Sequence, residues 1–209
     1  GSGVGEDGER FSEPERFGRS TYSGQLADVQ IVLDAVTNGA LSVEPSAIGL
    51  LGHSMGGGIA VLQSARDNRV QALVTWSASA RFGRLWQPDQ IPEWRRTGRI
   101  DVRNQRTGEI LPLYTDVLDD LVRHREVLDV GRAAAEVHVP WLIAHGAADE
   151  SVPLDDARTL HAANAASELL LAEGAGHTFG IKHPWNGSSP GFDRLSGATV
   201  EWFARHLLR

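Results

Sequence analysis

The sequence predicts an α/β domain, a parallel sheet with helices on both faces. Two observations carry this. Short apolar runs alternate with stretches whose apolar residues recur at three- and four-residue steps, the pattern of strand–helix crossover units. A Gly-x-Ser-x-Gly pentapeptide, Gly52-His53-Ser54-Met55-Gly56, stands where one apolar run passes into a helical stretch. Composition agrees: 209 residues, 41% hydrophobic and 22% charged, suit one globular domain (1–209) with its own core. No apolar run approaches the roughly 20 residues of a membrane-spanning helix. A formal charge of −7 gives no basic field for nucleic acid or an anionic membrane. The single lysine is Lys182, and there is no cysteine, which excludes disulfides, thiolate zinc sites and a Cys nucleophile. Nothing at the N-terminus reads as a targeting signal, so a cytoplasmic location is expected, although the chain begins with Gly and its true start can lie upstream.

The elements follow in order. Residues 1–20 are Gly-rich and charged and read as loop. Residues 21–37 carry Leu26, Val29, Leu33 and Val36 on one face and stop at Gly39, predicting a helix. IGLLGH (48–53) is apolar at nearly every position, as a buried strand is, and 55–66 reads as a helix despite its glycines. Residues 71–78 predict a second strand. The stretch 81–135 changes character, with many arginines, Pro88, Pro92, Pro112, Trp86 and Trp94, and reads as a lid- or cap-like insertion; a plain surface excursion is the alternative. Helical spacing returns within it around 114–130 through Val117, Leu118, Leu121 and Val122. Strands at 141–146 and 167–174 alternate with helices at 154–165 and 193–208, the last turning Leu195, Trp202, Phe203 and Leu207 inward.

A strand–turn–helix context makes the pentapeptide a nucleophile elbow: the chain reverses sharply and lifts the serine hydroxyl above the sheet. Gly52 and Gly56 are expected to permit the close approach of strand and helix, with Gly57 and Gly58 extending the tolerance. The Met55 N–H, at the helix start, is placed to donate to an oxyanion. A serine nucleophile needs a base, and the base an orienting carboxylate. Asp149 lies in the loop after strand 141–146 and His177 in the loop after strand 167–174, so both reach the same sheet edge as Ser54. His177 is therefore expected within reach of both Ser54 and Asp149. Glu150 is the runner-up carboxylate and His183 the runner-up base; His177 is preferred because Gly174 and Gly176 make a tight loop. Asp155 and Asp156 fall in the next helix as solvated or capping residues. His145 reads as structural, and His53 as packing or hydrogen-bonding under the turn. No histidine pair has metal spacing with a third ligand, so neither metal nor cofactor is implied.

GLLGHSMGGG, WLIAHGAADESVP and EGAGHTF resemble the three catalytic blocks of the α/β-hydrolase superfamily. The N-terminal stretch to Val29, NQRTGEILPL (104–113) and HTFGIKHPWNG (177–187) are similar to blocks of dienelactone-hydrolase-like and acyl-peptidase-like serine hydrolases. The resemblance thus covers essentially the whole chain, as the C-terminal portion of that fold. It implies hydrolysis of a small-molecule carboxylic ester through an acyl-enzyme, with Ser54 as nucleophile, His177 as base and Asp149 as orienter. A serine peptidase or amidase on small peptides, and a non-catalytic binding scaffold, are the alternatives. Dienelactone hydrolases use a cysteine where this chain has Ser54, which favours ordinary ester chemistry. Trp86, Trp94 and Trp185 are candidates for an acyl pocket; the alternative is that they anchor the insertion. Relatives also carry strands before the point that aligns with Gly1, one of them beside IGLLGH, and the loop giving a second oxyanion donor. Without them, strand 48–53 is expected to have an open edge, covered by a second chain, a second copy or a longer polypeptide, or else residues 1–45 rearrange.

Overall fold

The computed structural model describes residues 3–6, 8, 10–104 and 107–208. Two compact units divide the chain: Gly1–Val29 with Gly83–Leu128, and Gln30–Phe82 with Asp129–Arg209.

The second unit holds a four-stranded parallel sheet in the order β1–β2–β5–β6, with β1 Ile48–His53, β2 Val70–Trp76, β5 Trp141–Gly146 and β6 Glu168–Ala172. Parallel neighbours require crossovers, and helices supply them: α3 (Met55–Ser64), α6 (Val130–Glu136), α7 (Leu154–Ala163) and α8 (Pro190–Leu207). The alternation of side chains along each strand sorts the two layers. Val74 and Leu142 meet Trp202 of α8, and Ala144 meets Leu195, while the intervening Leu73, Thr75 and Ile143 turn to the opposite face. There the Trp141 indole donates to Thr75 Oγ1 at 3.0 Å. Local chemistry sets the helix starts. Asp129 caps α6 by accepting the Arg132 N–H, and Ser189 caps α8 by accepting the Phe192 N–H ahead of Pro190 at its first position.

β1 lies at the edge of the sheet and, among the described residues, its only ladder is with β2. Its apolar composition fits cover on both faces, yet Leu51 is 46% exposed.

The first unit is built around α1 (Pro14–Gly18) and an antiparallel pair, β3 (Arg99–Arg103) with β4 (Ile110–Tyr114), together with α4 (Ile91–Thr97) and α5 (Asp116–Arg123). α1 lies so close to β4 that a side chain at Gly18 would overlap the Pro112 carbonyl. The remaining helix, α2 (Tyr22–Thr37), carries the boundary between the units. Its N-terminal turn is fixed within the first unit, where the Ser23 N–H donates to Asp120 at 2.9 Å. The helix expected over 21–37 is therefore present, while part of the 1–20 segment read as loop is helical, and the 81–135 segment contains a hairpin. Spacing through 114–130 resolves into α5, a turn and the start of α6; Val117 and Leu118 are buried but Val122 faces solvent. No helix among the described residues is long and apolar enough to cross a membrane.

Candidate active site

Three loops of the second unit leave the C-terminal ends of β1, β5 and β6 and carry the side chains the sequence singled out. The turn after β1 is held tightly. Ser54 adopts φ 57°, ψ −126°, a left-handed conformation that L-residues rarely adopt. Its N–H donates to Trp76 O at 2.9 Å, and its carbonyl accepts from Gly57 N at 3.0 Å and Ser79 N at 3.1 Å. Strand and helix touch here: a Cβ on Gly52 would stand 2.4 Å from Gly56 O, and one on Gly57 would stand 2.5 Å from Ala78 Cβ. Gly56 is different from expectation. A Cβ there would meet nothing within 4 Å, so the steric demand assigned to Gly56 falls on Gly57. Met55 is the first residue of α3, and the helix leaves its amide without an intrahelical acceptor.

The loop after β5 is organised by Asp149. Its Oδ1 accepts two backbone N–H groups, from Ser151 at 2.8 Å and Val152 at 2.9 Å. Its Oδ2 lies 2.8 Å from His177 Nδ1, and the Asp149 side chain is fully buried while that of His177 is 21% exposed. Burial would push the Asp149 carboxyl up, but the donors from Val152, His177 and Ser151, with the Ser77 hydroxyl facing it from the end of β2, hold it below the usual carboxylate range. The loop after β6 is brought alongside by a close backbone approach. A Cβ on Gly146 would sit 2.4 Å from Ala175 O, and the Ala148 N–H donates to that same carbonyl at 2.9 Å.

The structure thus brings Asp149 and His177 into direct contact. The other half of the expected relay is unformed: among the described residues the Ser54 hydroxyl has no hydrogen-bond partner, and neither does His177 Nε2. Glu150 and His183 are exposed and stand outside the pair. Asp155 is exposed, whereas Asp156 is buried and accepts the Ala80 N–H at 2.9 Å, a structural role rather than a solvated one. His53 is not tucked beneath the turn. It stands on the exposed side, its Nε2 3.0 Å from His177 O and its ring 4.6 Å from the His177 ring. His145 is fully buried, donates Nε2–H to Val152 O at 2.9 Å and lies 3.6 Å from Asp149 Oδ2. Sequence reading gave it no link to Asp149; its position four residues before that aspartate is the available signal.

The tryptophans separate. Trp94 is fully buried in the first unit, its indole donating to Leu113 O at 2.9 Å and meeting Trp86 edge-on at 5.1 Å. Both contacts lie within the 81–135 segment itself. Trp185 belongs to the second unit and is 61% exposed beside Phe192. Among the described residues no group of three or more His, Asp or Glu side chains converges as a metal site.

A serine in a strained strand–helix turn is followed in chain order by a buried aspartate and its histidine partner, on loops that leave the C-terminal ends of a parallel sheet. The alpha/beta hydrolase family model matches residues 2–187, and the chain belongs to that family. No curated protein matches it. Among solved structures, Est1E from Butyrivibrio proteoclasticus is 20% identical, with a TM-score of 0.63 over 91% of this chain and 73% of that one. A structure from work on LipS and LipT, two metagenome-derived lipolytic enzymes, is 16% identical, with a TM-score of 0.70 over 94% and 79%. A puromycin-hydrolyzing peptidase from Mycobacterium tuberculosis is 17% identical, with a TM-score of 0.66 over 93% of this chain but 27% of its own. At these identities the likeness is one of fold.

Proposed function

We propose that the protein hydrolyses small carboxylic esters through an acyl-enzyme carried on Ser54. The observation that supports this most directly is the 2.8 Å contact between Asp149 Oδ2 and His177 Nδ1, with Ser54 presented at the same sheet edge in the elbow conformation. The carboxylate accepts the Nδ1 proton, which fixes the neutral tautomer with an open lone pair on Nε2. In the substrate complex the Ser54 hydroxyl must reach that lone pair. Oγ then bonds to the substrate carbonyl carbon while its proton passes to Nε2. The carbonyl π pair moves onto oxygen, where the Met55 N–H donates to it. Collapse breaks the bond to the alkoxide, which takes the Nε2 proton and leaves as the alcohol. Water repeats the sequence on the acyl group and restores Ser54. Asp149 stays ionised throughout and stabilises the imidazolium.

The test is turnover of a p-nitrophenyl ester beside the matched p-nitroanilide, for the wild type and Ser54→Ala. Ester cleavage abolished by the substitution supports the proposal. Equal or faster anilide cleavage selects an amidase instead, a reading kept because a peptidase shares the fold. Turnover unchanged in Ser54→Ala refutes the nucleophile.

A further inference from the structure

His53 precedes the nucleophile in the chain yet makes its two contacts with the base. Its Nε2 lies 3.0 Å from the carbonyl oxygen of His177, and the two rings stand 4.6 Å apart, tilted by 39°. A carbonyl only accepts, so Nε2 must carry the proton. With Nε2 protonated, the neutral ring keeps a lone pair on Nδ1. Partial burial of the ring pushes the His53 pKa down, and the neighbouring His177 and His145 add to this, against the raising effects of the bond to His177 O and of the Asp149 carboxylate. The ring therefore remains a neutral donor and places no second positive charge beside the imidazolium that forms on His177. Phe179, whose ring is 6.5 Å from that of His53, is buried and limits the ring's movement on that side.

Resting on the catalytic reading above, we propose that His53 is a positioning residue. It ties the backbone of the base to the elbow that carries the nucleophile, so that Ser54 and His177 keep one geometry. The loop that carries His177 is also restrained by the Asp149 contact, by the approach of Gly146 and Ala148 to Ala175, and by the Ser189 hydroxyl donating to Phe179 O. The His53 bond reaches the backbone of the base itself from the end of β1. Its loss frees the base relative to the nucleophile without touching a substrate-binding group. The cost therefore falls on kcat and leaves KM in place.

Three variants separate the bond from the ring. His53→Ala removes both; His53→Phe keeps a ring without the donor; His53→Gln places an amide N–H at the reach of Nε2. Melting temperatures check that all three variants fold. Alanine and phenylalanine should lower kcat by roughly five- to tenfold with KM within twofold, the size of one hydrogen bond. Glutamine should restore most of the loss. Wild-type kcat in His53→Phe, or no rescue by glutamine, overturns the proposal. Should the wild type show no Ser54-dependent turnover, the catalytic reading has failed, and the tie is judged separately by nitrogen-15 spectra of the histidine rings. Protonation of His53 at Nε2 in the neutral state is expected, and protonation at Nδ1 overturns it.

Discussion

Replacing Asp149 with asparagine tests the site through a conflict the backbone imposes. Three contacts on the carboxylate matter here: Oδ1 takes the Ser151 and Val152 N–H groups at 2.8 and 2.9 Å, and Oδ2 faces His177 Nδ1 at 2.8 Å. A carboxamide has one acceptor oxygen and must choose. If the oxygen stays with the two backbone donors, the NH2 group faces Nδ1. His177 must then accept there, so its proton moves to Nε2 and the lone pair needed for Ser54 is lost. If the amide turns round, His177 keeps its tautomer but the Ser151 and Val152 N–H groups confront another donor. Water can satisfy the exposed Ser151 N–H, but the part-buried Val152 N–H left unsatisfied costs about 1–3 kcal/mol. The first arrangement should win, because it keeps both backbone bonds. Asp149→Asn should therefore unfold in urea at nearly the wild-type midpoint while losing on the order of 10⁴ in kcat, the scale of a wrong-tautomer base. Asp149→Ala, which orphans both N–H groups in either case, should lose stability as well. Near-wild-type turnover and stability together in Asp149→Asn would refute the reasoning.

Other perturbations follow from the same packing. Asp67 is held at about 2, chiefly by the Arg69 side chain. Its ordinary carboxyl value of 3.8 in turn sets an upper bound of about 2.4 kcal/mol on its contribution to stability. Arg69 is 30% exposed, so solvent screening should trim this to about 1–2 kcal/mol. A depressed carboxyl stabilises the fold above its unfolded pKa, so the deficit of Asp67→Asn in urea unfolding should be full at pH 6 and shrink as pH falls from about 4 towards 2; a deficit that grows on acidification would contradict it. Gly57→Ala should cost about 1–3 kcal/mol by overpacking, because its Cβ would meet Ala78 Cβ at 2.5 Å, whereas Gly56→Ala should cost less than 1 kcal/mol, and equal thermal shifts would count against the close approach. The free edge of β1 with Leu51 exposed should make the 209-residue chain self-associate, and Leu51→Lys should reduce this in light scattering; a monomer at all concentrations in both forms would show the edge to be harmless.

The parallel sheet was legible because its strands are apolar at successive positions and its helices are punctuated by glycine, proline and capping side chains. Placing Ser54, Asp149 and His177 at one edge needed only chain order and the rule that ligand-binding loops leave the carboxyl ends of strands. Features set by packing between distant residues were less legible. Gly56 and Gly57 look equivalent in sequence; only the position of Ala78 makes the second indispensable. The β3–β4 hairpin was missed because arginines and Pro112 mask the alternation of Ile100 and Val102 opposite Leu111 and Leu113. α1 was hidden in a charged, glycine-rich segment, and its position depends on β4, far along the chain. Asp156 looked solvated until Ala80, brought close by the sheet, was seen to donate to it.

The claim on which the account rests is that Ser54 is the residue that becomes covalently modified. Incubation of the protein with a fluorophosphonate, followed by intact-mass measurement and peptide mapping, tests it without assuming a natural substrate. The account predicts one adduct per chain, on Ser54, absent in Ser54→Ala and slowed in His177→Ala. An unmodified wild-type protein, or an adduct on another residue that persists in Ser54→Ala, would contradict it.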